Sequence, residues 1–255
     1  MSLLEINNMT QRFGGLTAVS DFSVHLNEGE LCGLIGPNGA GKTTIFNLVS
    51  GFYTPTLGAI EFAGEKITGM KPHKVTGKGI ARTFQNIRLW HDMTVLDNIR
   101  VSQHYHLGYG FLDAVFRLPR YNRRTEELDS WVYEILDALE LTRYAEEYPK
   151  NLPYGLRRRV EIARALSTKP RLLLLDEPAA GLNTADLDGL ISLIRWIYEN
   201  FEITIWMIEH QMQVVMTLCQ RIQVIDFGAT IAQGTPHEIQ NNPEVIKAYL
   251  GDDTI

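Results

Sequence analysis

Short apolar runs separated by turn residues fill the first third of the chain: Leu3 to Met9, Asp21 to Leu26, Leu31 to Ile35, Ala59 to Phe62 and Ile80 to Phe84. Runs of this length, bounded by turns such as Asn27-Glu28-Gly29 and Phe62-Ala63-Gly64, predict strands. From about Thr94 to Thr168 the period becomes helical. Trp131, Ile135, Leu136 and Leu139 recur at helix spacing, and Val160, Ala163 and Leu166 do so in a second segment. Strand and helix then alternate: strand Arg171 to Asp176, a helix near Ala185 to Glu199, strand Ile203 to Ile208, a helix near Gln211 to Leu218, and strand Ile222 to Ile225. That alternation predicts a mostly parallel sheet covered by helices.

Directly after the third strand comes Gly36-Pro37-Asn38-Gly39-Ala40-Gly41-Lys42-Thr43-Thr44, a full G-x-x-x-x-G-K-[ST] sequence in a strand, loop, helix context. Gly36, Gly39 and Gly41 let the backbone turn tightly and aim N–H groups at phosphate oxygens, while Lys42 neutralises the outer phosphates and Thr43 offers a hydroxyl to Mg²⁺. Thr44 to Ser50 continue as a helix whose positive N-terminal end adds to the anion site. A nucleoside triphosphate is the implied ligand. The predicted fold class is therefore α/β, a phosphate-loop (RecA-like) parallel-sheet core with an N-terminal antiparallel β lobe and an inserted helical subdomain. Core and lobe are expected at about residues 1–85 and 168–255, and the insertion at about 86–167, within one domain spanning 1–255.

The 255 residues, 45% hydrophobic and 21% charged, have room for one substantial core, or one core with a subdomain. A net charge of -6 argues against a nucleic-acid-binding surface, which draws affinity from clustered Lys and Arg. Cys32 and Cys219 are the two cysteines, and Cys32 lies in an apolar strand, so buried thiols in a reducing compartment are expected rather than a bridge. The first residues show no leader pattern and no window approaches the roughly 20 apolar residues of a membrane helix, so any work at a membrane requires partners that hold the chain there.

A phosphate loop needs an acidic partner, and Leu172-Leu173-Leu174-Leu175 followed by Asp176-Glu177 supplies one. Four leucines in a row fit a strand buried on both faces, and a carboxylate at its C-terminal end lies where ligands bind in open parallel sheets. Asp176 is thus placed to hold Mg²⁺, often through water, and Glu177 to polarise the water that attacks a phosphoanhydride. An acidic pair capping a strand is the plainer alternative. His210, after Ile208 and Glu209, is either a group that hydrogen-bonds a terminal phosphate or an ordinary surface or core histidine, and Gln85, beyond Phe84, either reaches the Mg²⁺ or the attacking water or is an unremarkable amide. Phe13, in Arg12-Phe13-Gly14-Gly15, either stacks on adenine or belongs to a small packing cluster. Asn151 to Arg159 reads as a turn opening into a helix from Val160 to Ser167, with Pro153 suited to the first turn and the arginines Arg157 to Arg159 forming either a solvated face or an interface.

Taken in order, Gly36 to Thr43, Gln85, Leu152 to Leu156, Leu172 to Glu177, Ala180-Gly181-Leu182-Asn183 and His210 resemble the Walker A, Q-loop, signature, Walker B, D-loop and H-loop of ABC ATPases, over nearly the whole chain. Within them the chain is most similar to the ATP-binding subunits of branched-chain or hydrophobic amino acid uptake transporters, the Liv type. Arg12-Phe13-Gly14-Gly15, Arg82-Thr83-Phe84-Gln85, Glu177-Pro178-Ala179-Ala180-Gly181-Leu182-Asn183 and the ending Asn242-Pro243-Glu244-Val245-Ile246-Lys247-Ala248-Tyr249-Leu250-Gly251 carry that likeness. The resemblance implies an ATPase on the cytoplasmic face of the cell membrane, with ATP and Mg²⁺ bound. Its implied partners are membrane permease subunits, a second ATP-binding subunit, identical or a sibling, and indirectly a solute-binding protein. Each ATP would lie between the Walker A loop of one subunit and the signature of the other, here Tyr154 and Gly155, with closure driving the permeases and hydrolysis reopening them. The family signature Leu-Ser-Gly-Gly-Gln reads Leu152-Pro153-Tyr154-Gly155-Leu156 in this chain, without the serine hydroxyl, and Pro153 has no N–H to offer. Asn183 stands where many ABC proteins have Asp.

The aromatic-rich segment His104 to Tyr121, with Tyr105, Tyr109, Phe111, Phe116 and Tyr121, is expected either to help dock a permease helix or to pack the insertion. Export of a lipid-like cargo by a similar subunit is the nearest rival function. A GTPase switch lacks an Asn-Lys-x-Asp element here, and a small-molecule kinase lacks a recognisable acceptor site.

Overall fold

The structure, a computed structural model, describes residues 2–103, 108, 113, 115, 116 and 119–250. It divides into two compact units, one formed by residues 1–85 and 171–255, the other by residues 86–170. The first unit opens with β1 (Ser2–Phe13), β2 (Leu16–Asn27), β3 (Leu31–Ile35), α1 (Lys42–Val49), β4 (Leu57–Phe62), β5 (Glu65–Lys66), α2 (Pro72–Gly77) and β6 (Ile80–Arg82). The second unit holds α3 (Val95–Ser102), α4 (Pro119–Ala138) and α5 (Tyr154–Ser167). The chain then returns to the first unit through β7 (Leu172–Asp176), α6 (Thr184–Phe201), β8 (Thr204–Ile208), α7 (Met212–Leu218), β9 (Arg221–Asp226), β10 (Ala229–Gly234), α8 (Pro236–Gln240) and α9 (Pro243–Leu250).

Two sheets build the first unit. An antiparallel lobe has the order β2-β1-β4-β5, and a six-stranded sheet has the order β10-β9-β3-β8-β7-β6, parallel except for its β10 edge. The α/β class with a parallel core is thus as expected. Strands β3, β7 and β8 are buried at every position, as runs such as Leu172 to Leu175 require when both faces are covered. In β2, by contrast, Phe22, Val24 and Leu26 point inward while their neighbours are exposed, the period-2 signature of a one-faced strand. Trp206 of β8 is fully buried and its ring lies 5.1 Å from that of Phe46 on α1, which fastens the helix to the sheet.

Several boundaries differ from the expectation, each for a local reason. Asn8 and Asp21 both have positive φ, the register shifts there, and Asn8 Nδ2 donates to Asp21 Oδ1 at 2.7 Å. This bulge interrupts the apolar alternation, so the sequence shows only parts of β1 and β2. β6 stops at Arg82 rather than Phe84. β10 escaped notice because Ala229 to Gly234 is weakly apolar; it is an edge strand joined to β9 by the two-residue turn Phe227-Gly228.

In the second unit the Thr94 hydroxyl accepts the Asp97 N–H at 3.1 Å and caps α3. Of the first stripe expected from the sequence Ile135, Leu136 and Leu139 are buried and Trp131 is half-buried, with Val132 buried beside it, while Val160, Ala163 and Leu166 of the second are all buried. Helix α5 begins at Tyr154 with Pro153 as its N-cap, not at Val160, so the arginine triplet lies inside the helix. Arg158 is neither on a solvated face nor at a surface: it is buried and paired with buried Glu161 at 2.6 Å. Of the aromatic segment, Tyr105, Tyr109 and Phe111 lie outside the described residues, while Phe116 is exposed. Cys32 and Cys219 are buried thiols without a bridge. Among the described residues no helix is long and apolar enough to cross a membrane.

Candidate active site

Parallel pairing brings the chemistry to one edge of the sheet. Leu34 is in register with Ile208, Ile208 with Asp176, and Ile35 with Val224, so the loops that leave β3, β7 and β8 emerge side by side at the C-terminal ends of the strands. The loop after β3 is Gly36 to Gly41. A Cβ at Gly36 would stand 2.0 Å from the Ile225 carbonyl oxygen, and one at Gly41, whose φ is +103°, would stand 2.5 Å from that of Ala18. Only glycine lets the loop pass so close to these strands.

Lys42, the first residue of α1, is buried, and its ammonium donates to the Gly36 carbonyl at 2.7 Å and the Pro37 carbonyl at 2.9 Å. Burial pushes its pKa down, while the charges of Glu177 and Asp176 hold it up. A buried cation satisfied by neutral carbonyls gains from an anionic acceptor, and phosphate is one. Thr43 is exposed and Thr44 half-buried at the N-terminal end of α1. With Phe13, Asn38, Lys42 and Glu177 they line a pocket of about 410 Å³, which Gly39, Ala40 and Gly41 also border. Phe13 is 41% exposed, with its ring edge-on to Tyr53 at 5.2 Å, so it belongs to a small aromatic pair and also faces the pocket.

Asp176 ends β7 and is 2% exposed. One carboxylate oxygen, Oδ2, accepts from Arg82 Nη2 at 2.7 Å. Arg82 also donates through Nη1 to Asn47 Oδ1 and Ser50 Oγ, each at 2.8 Å, which ties β6, β7 and α1 together. The other oxygen, Oδ1, is buried and has no hydrogen-bond partner among the described residues. A buried carboxylate oxygen left unpaired is costly, and a hard cation is the partner that suits it. The residues present therefore fit a Mg²⁺ ion.

Glu177 is held with φ +46°, a left-handed conformation that is strained for this residue type, and its N–H donates to the Ile208 carbonyl at 2.9 Å. That twist turns its carboxylate toward two other expected residues. Gln85 Nε2 donates to Glu177 Oε2 at 2.7 Å, and His210 Nδ1 lies 3.7 Å from the same oxygen. Gln85, Glu177 and His210 thus form one cluster. Tyr154 and Gly155 belong to the second unit, half-buried in the first turn of α5, where Arg158 Nη2 donates to Tyr154 Oη at 3.3 Å.

Three residues at this edge carry weight that the sequence did not reveal. Arg82 is the buried cation of Asp176. Glu209, fully buried, accepts backbone N–H groups from Ala179, His210 and Gln211. Phe227, 87% exposed, borders the same pocket. A usable signal existed for Phe227 alone, an aromatic directly before glycine in a hairpin position that normally takes Asn or Asp.

Residues 19–180 match the model of the ABC transporter family, and residues 229–254 match that of the branched-chain amino acid ATP-binding cassette transporter. The chain belongs to the ABC transporter family. It is 46% identical over 250 residues to the high-affinity branched-chain amino acid transport ATP-binding protein BraF of Pseudomonas aeruginosa, with 98% of each chain covered. It is 42% identical to the corresponding protein LivG of Escherichia coli K12, again with 98% of each covered. Among solved structures, an ATP-binding cassette of an ABC transporter in its ADP conformation superposes with a TM-score of 0.85 at 29% identity, over 99% of this chain and 100% of that one. In this ABC chain the glycine-rich loop after β3, Asp176 and Glu177 at the end of β7, and the loop carrying His210 after β8 share one sheet edge.

Proposed function

We propose that this chain is the ATP-binding and ATP-hydrolysing subunit of an importer that takes branched-chain or other hydrophobic amino acids across the cell membrane. It works at the cytoplasmic face, held there by permease subunits. The observation that carries the catalytic part is the cluster of Gln85, Glu177 and His210 beside the phosphate-loop pocket. The likeness to BraF and LivG over almost the full length supports the cargo class.

In this reading the backbone N–H groups that the Gly36 to Thr44 loop offers, Pro37 having none, and the Lys42 ammonium bind the phosphates, and Phe13 borders the base. Asp176, Thr43 and Gln85 would hold Mg²⁺, which when bound screens charge on the phosphates. Arg82 orients Asp176 through its bond to Oδ2 and leaves Oδ1 for the ion. Glu177 accepts the proton of the attacking water, Gln85 orients the carboxylate through its 2.7 Å bond, and His210 steadies the terminal phosphate. The start of α5, at Tyr154 and Gly155, meets the nucleotide of a second ATP-binding subunit, identical or a sibling. A solute-binding protein delivers the cargo to the permeases.

Glu177→Gln tests this directly. The variant should bind ATP as the parent does and lose about 10²–10⁴-fold in turnover, because the water loses its acceptor. Unchanged hydrolysis would show that Glu177 is not the group that takes the proton.

A further inference from the structure

Glu209 lies between the last residue of β8 and His210, and its side chain is completely enclosed. A buried carboxylate is tolerated when its oxygens are paired. Oε1 accepts the Ala179 N–H at 2.7 Å, and Oε2 accepts the N–H groups of His210 at 3.1 Å and Gln211 at 3.2 Å. Gln211 Nε2 returns a bond to the Ala179 carbonyl at 3.3 Å. These bonds stitch the loop after β7, which begins with Glu177, to the loop after β8, which contains His210. Neither loop segment is helix or strand at these positions, so no regular ladder holds them in place.

The chemistry asks for a carboxylate. Three N–H donors converge on two oxygens, and only an acceptor-only group satisfies all of them. An amide would set an NH₂ against an N–H, and a side chain without oxygens would leave the buried Ala179 N–H unpaired and the His210 and Gln211 N–H groups without their shared acceptor.

We propose that Glu209 is a positioning residue for ATP hydrolysis: by fixing the backbone at Ala179 and His210, it sets the 3.7 Å approach between the His210 ring and the Glu177 carboxylate. The inference rests on the hydrolytic reading of Glu177 and His210. It differs from a plain structural strut in predicting an effect that runs through His210.

The test uses the full-length chain and four variants: Glu209→Gln, Glu209→Asp, His210→Ala and the double variant Glu209→Gln/His210→Ala. ATP affinity is measured by titration calorimetry, and kcat and KM by phosphate release. Glu209→Gln should lower kcat on the order of 10²-fold while ATP affinity stays within about threefold, as expected when the chemical geometry shifts by a fraction of an ångström to an ångström and ground-state binding does not. The double variant should be no slower than His210→Ala alone, since both changes disable one unit. Glu209→Asp keeps both acceptor oxygens and should recover much of the rate; it also remains informative if the glutamine variant folds poorly. A kcat within about twofold of the parent for Glu209→Gln, or losses that multiply in the double variant, would overturn the proposal. Unimpaired hydrolysis by Glu177→Gln would overturn the site reading and this inference with it, whereas failure of the Glu209 arm alone leaves the site reading standing.

Discussion

Replacing Arg82 by methionine probes how the acidic strand end is maintained. The side chain keeps a similar length and apolar stem but loses its charge, and Asp176, 2% exposed, is left without the cation that sits 2.7 Å away. Breaking a buried pair from one side costs about 3–5 kcal/mol, because the surviving charge loses its hydrogen-bonded counter-ion where little water reaches it. The bonds from Arg82 to Asn47 and Ser50 add about 1 kcal/mol to that loss. Contacts of the guanidinium with the rings of Phe46, at 5.6 Å, and Phe84, at 5.0 Å, vanish too. Against a total stability of roughly 5–15 kcal/mol, such a variant is severely weakened. Urea unfolding without nucleotide, followed by fluorescence of buried Trp206 in the same unit, measures the loss. The double variant Arg82→Met/Asp176→Asn should recover about 2 kcal/mol relative to the sum of the single losses, since no uncompensated charge remains. A single-variant cost under about 1 kcal/mol, or strictly additive losses, would refute the view that Arg82 exists to neutralise Asp176.

Other consequences are equally measurable. Lys42→Ala should weaken ATP binding by about 10-fold or more in calorimetric titration, because charge-assisted contacts to phosphate are worth roughly 1.5–3 kcal/mol; a wild-type affinity would remove the basis for the phosphate-loop assignment. Glu30 is partly buried, which raises its pKa, but the bonds from Arg221, at 2.6 Å, and from the Asn27 N–H bring it down to about 2. A depressed carboxyl pKa stabilises the fold above the unfolded value near 4.3 and loses that contribution as pH falls toward 2, on the order of 3 kcal/mol in all. Unfolding curves of the parent and Arg221→Gln should therefore differ at pH 6 and converge near pH 2. Phe227→Asn should raise stability by up to about 1 kcal/mol in thermal melts, since φ +43° suits asparagine and strains an aromatic residue, while little packing is lost at an exposed position.

Much of this molecule is written locally. The four leucines ahead of Asp176 demand a strand covered on both faces, the glycines of residues 36–41 demand a tight phosphate-cradling loop, and the stripes at Val160, Ala163 and Leu166 demand a helix against a core. Order along the chain then places Gln85, Asp176, Glu177 and His210 at strand ends, where a parallel sheet gathers its ligands. Short-range patterns failed where the decisive partner is distant. The bulge between Asn8 and Asp21 broke the alternation that marks a strand, and the start of α5 at Tyr154 was hidden because Arg158 looks like a surface charge until Glu161 and the helix core enclose it. Sequence also left Phe13 undecided between a packing cluster and a base platform, and the fold gives it both neighbours, Tyr53 and the pocket.

The residue types and their order by themselves pointed to phosphate as the ligand and to the loops proposed to hold it. Which groups hold that site in shape was settled only in three dimensions. Arg82 and Glu209 are ordinary charged residues in the sequence; burial removed water from both, and the loss of solvent forced each to find its counterpart, Asp176 for one and three backbone N–H groups for the other. Desolvation is a property of the packed chain rather than of any stretch of it, so no reading of local pattern reaches it.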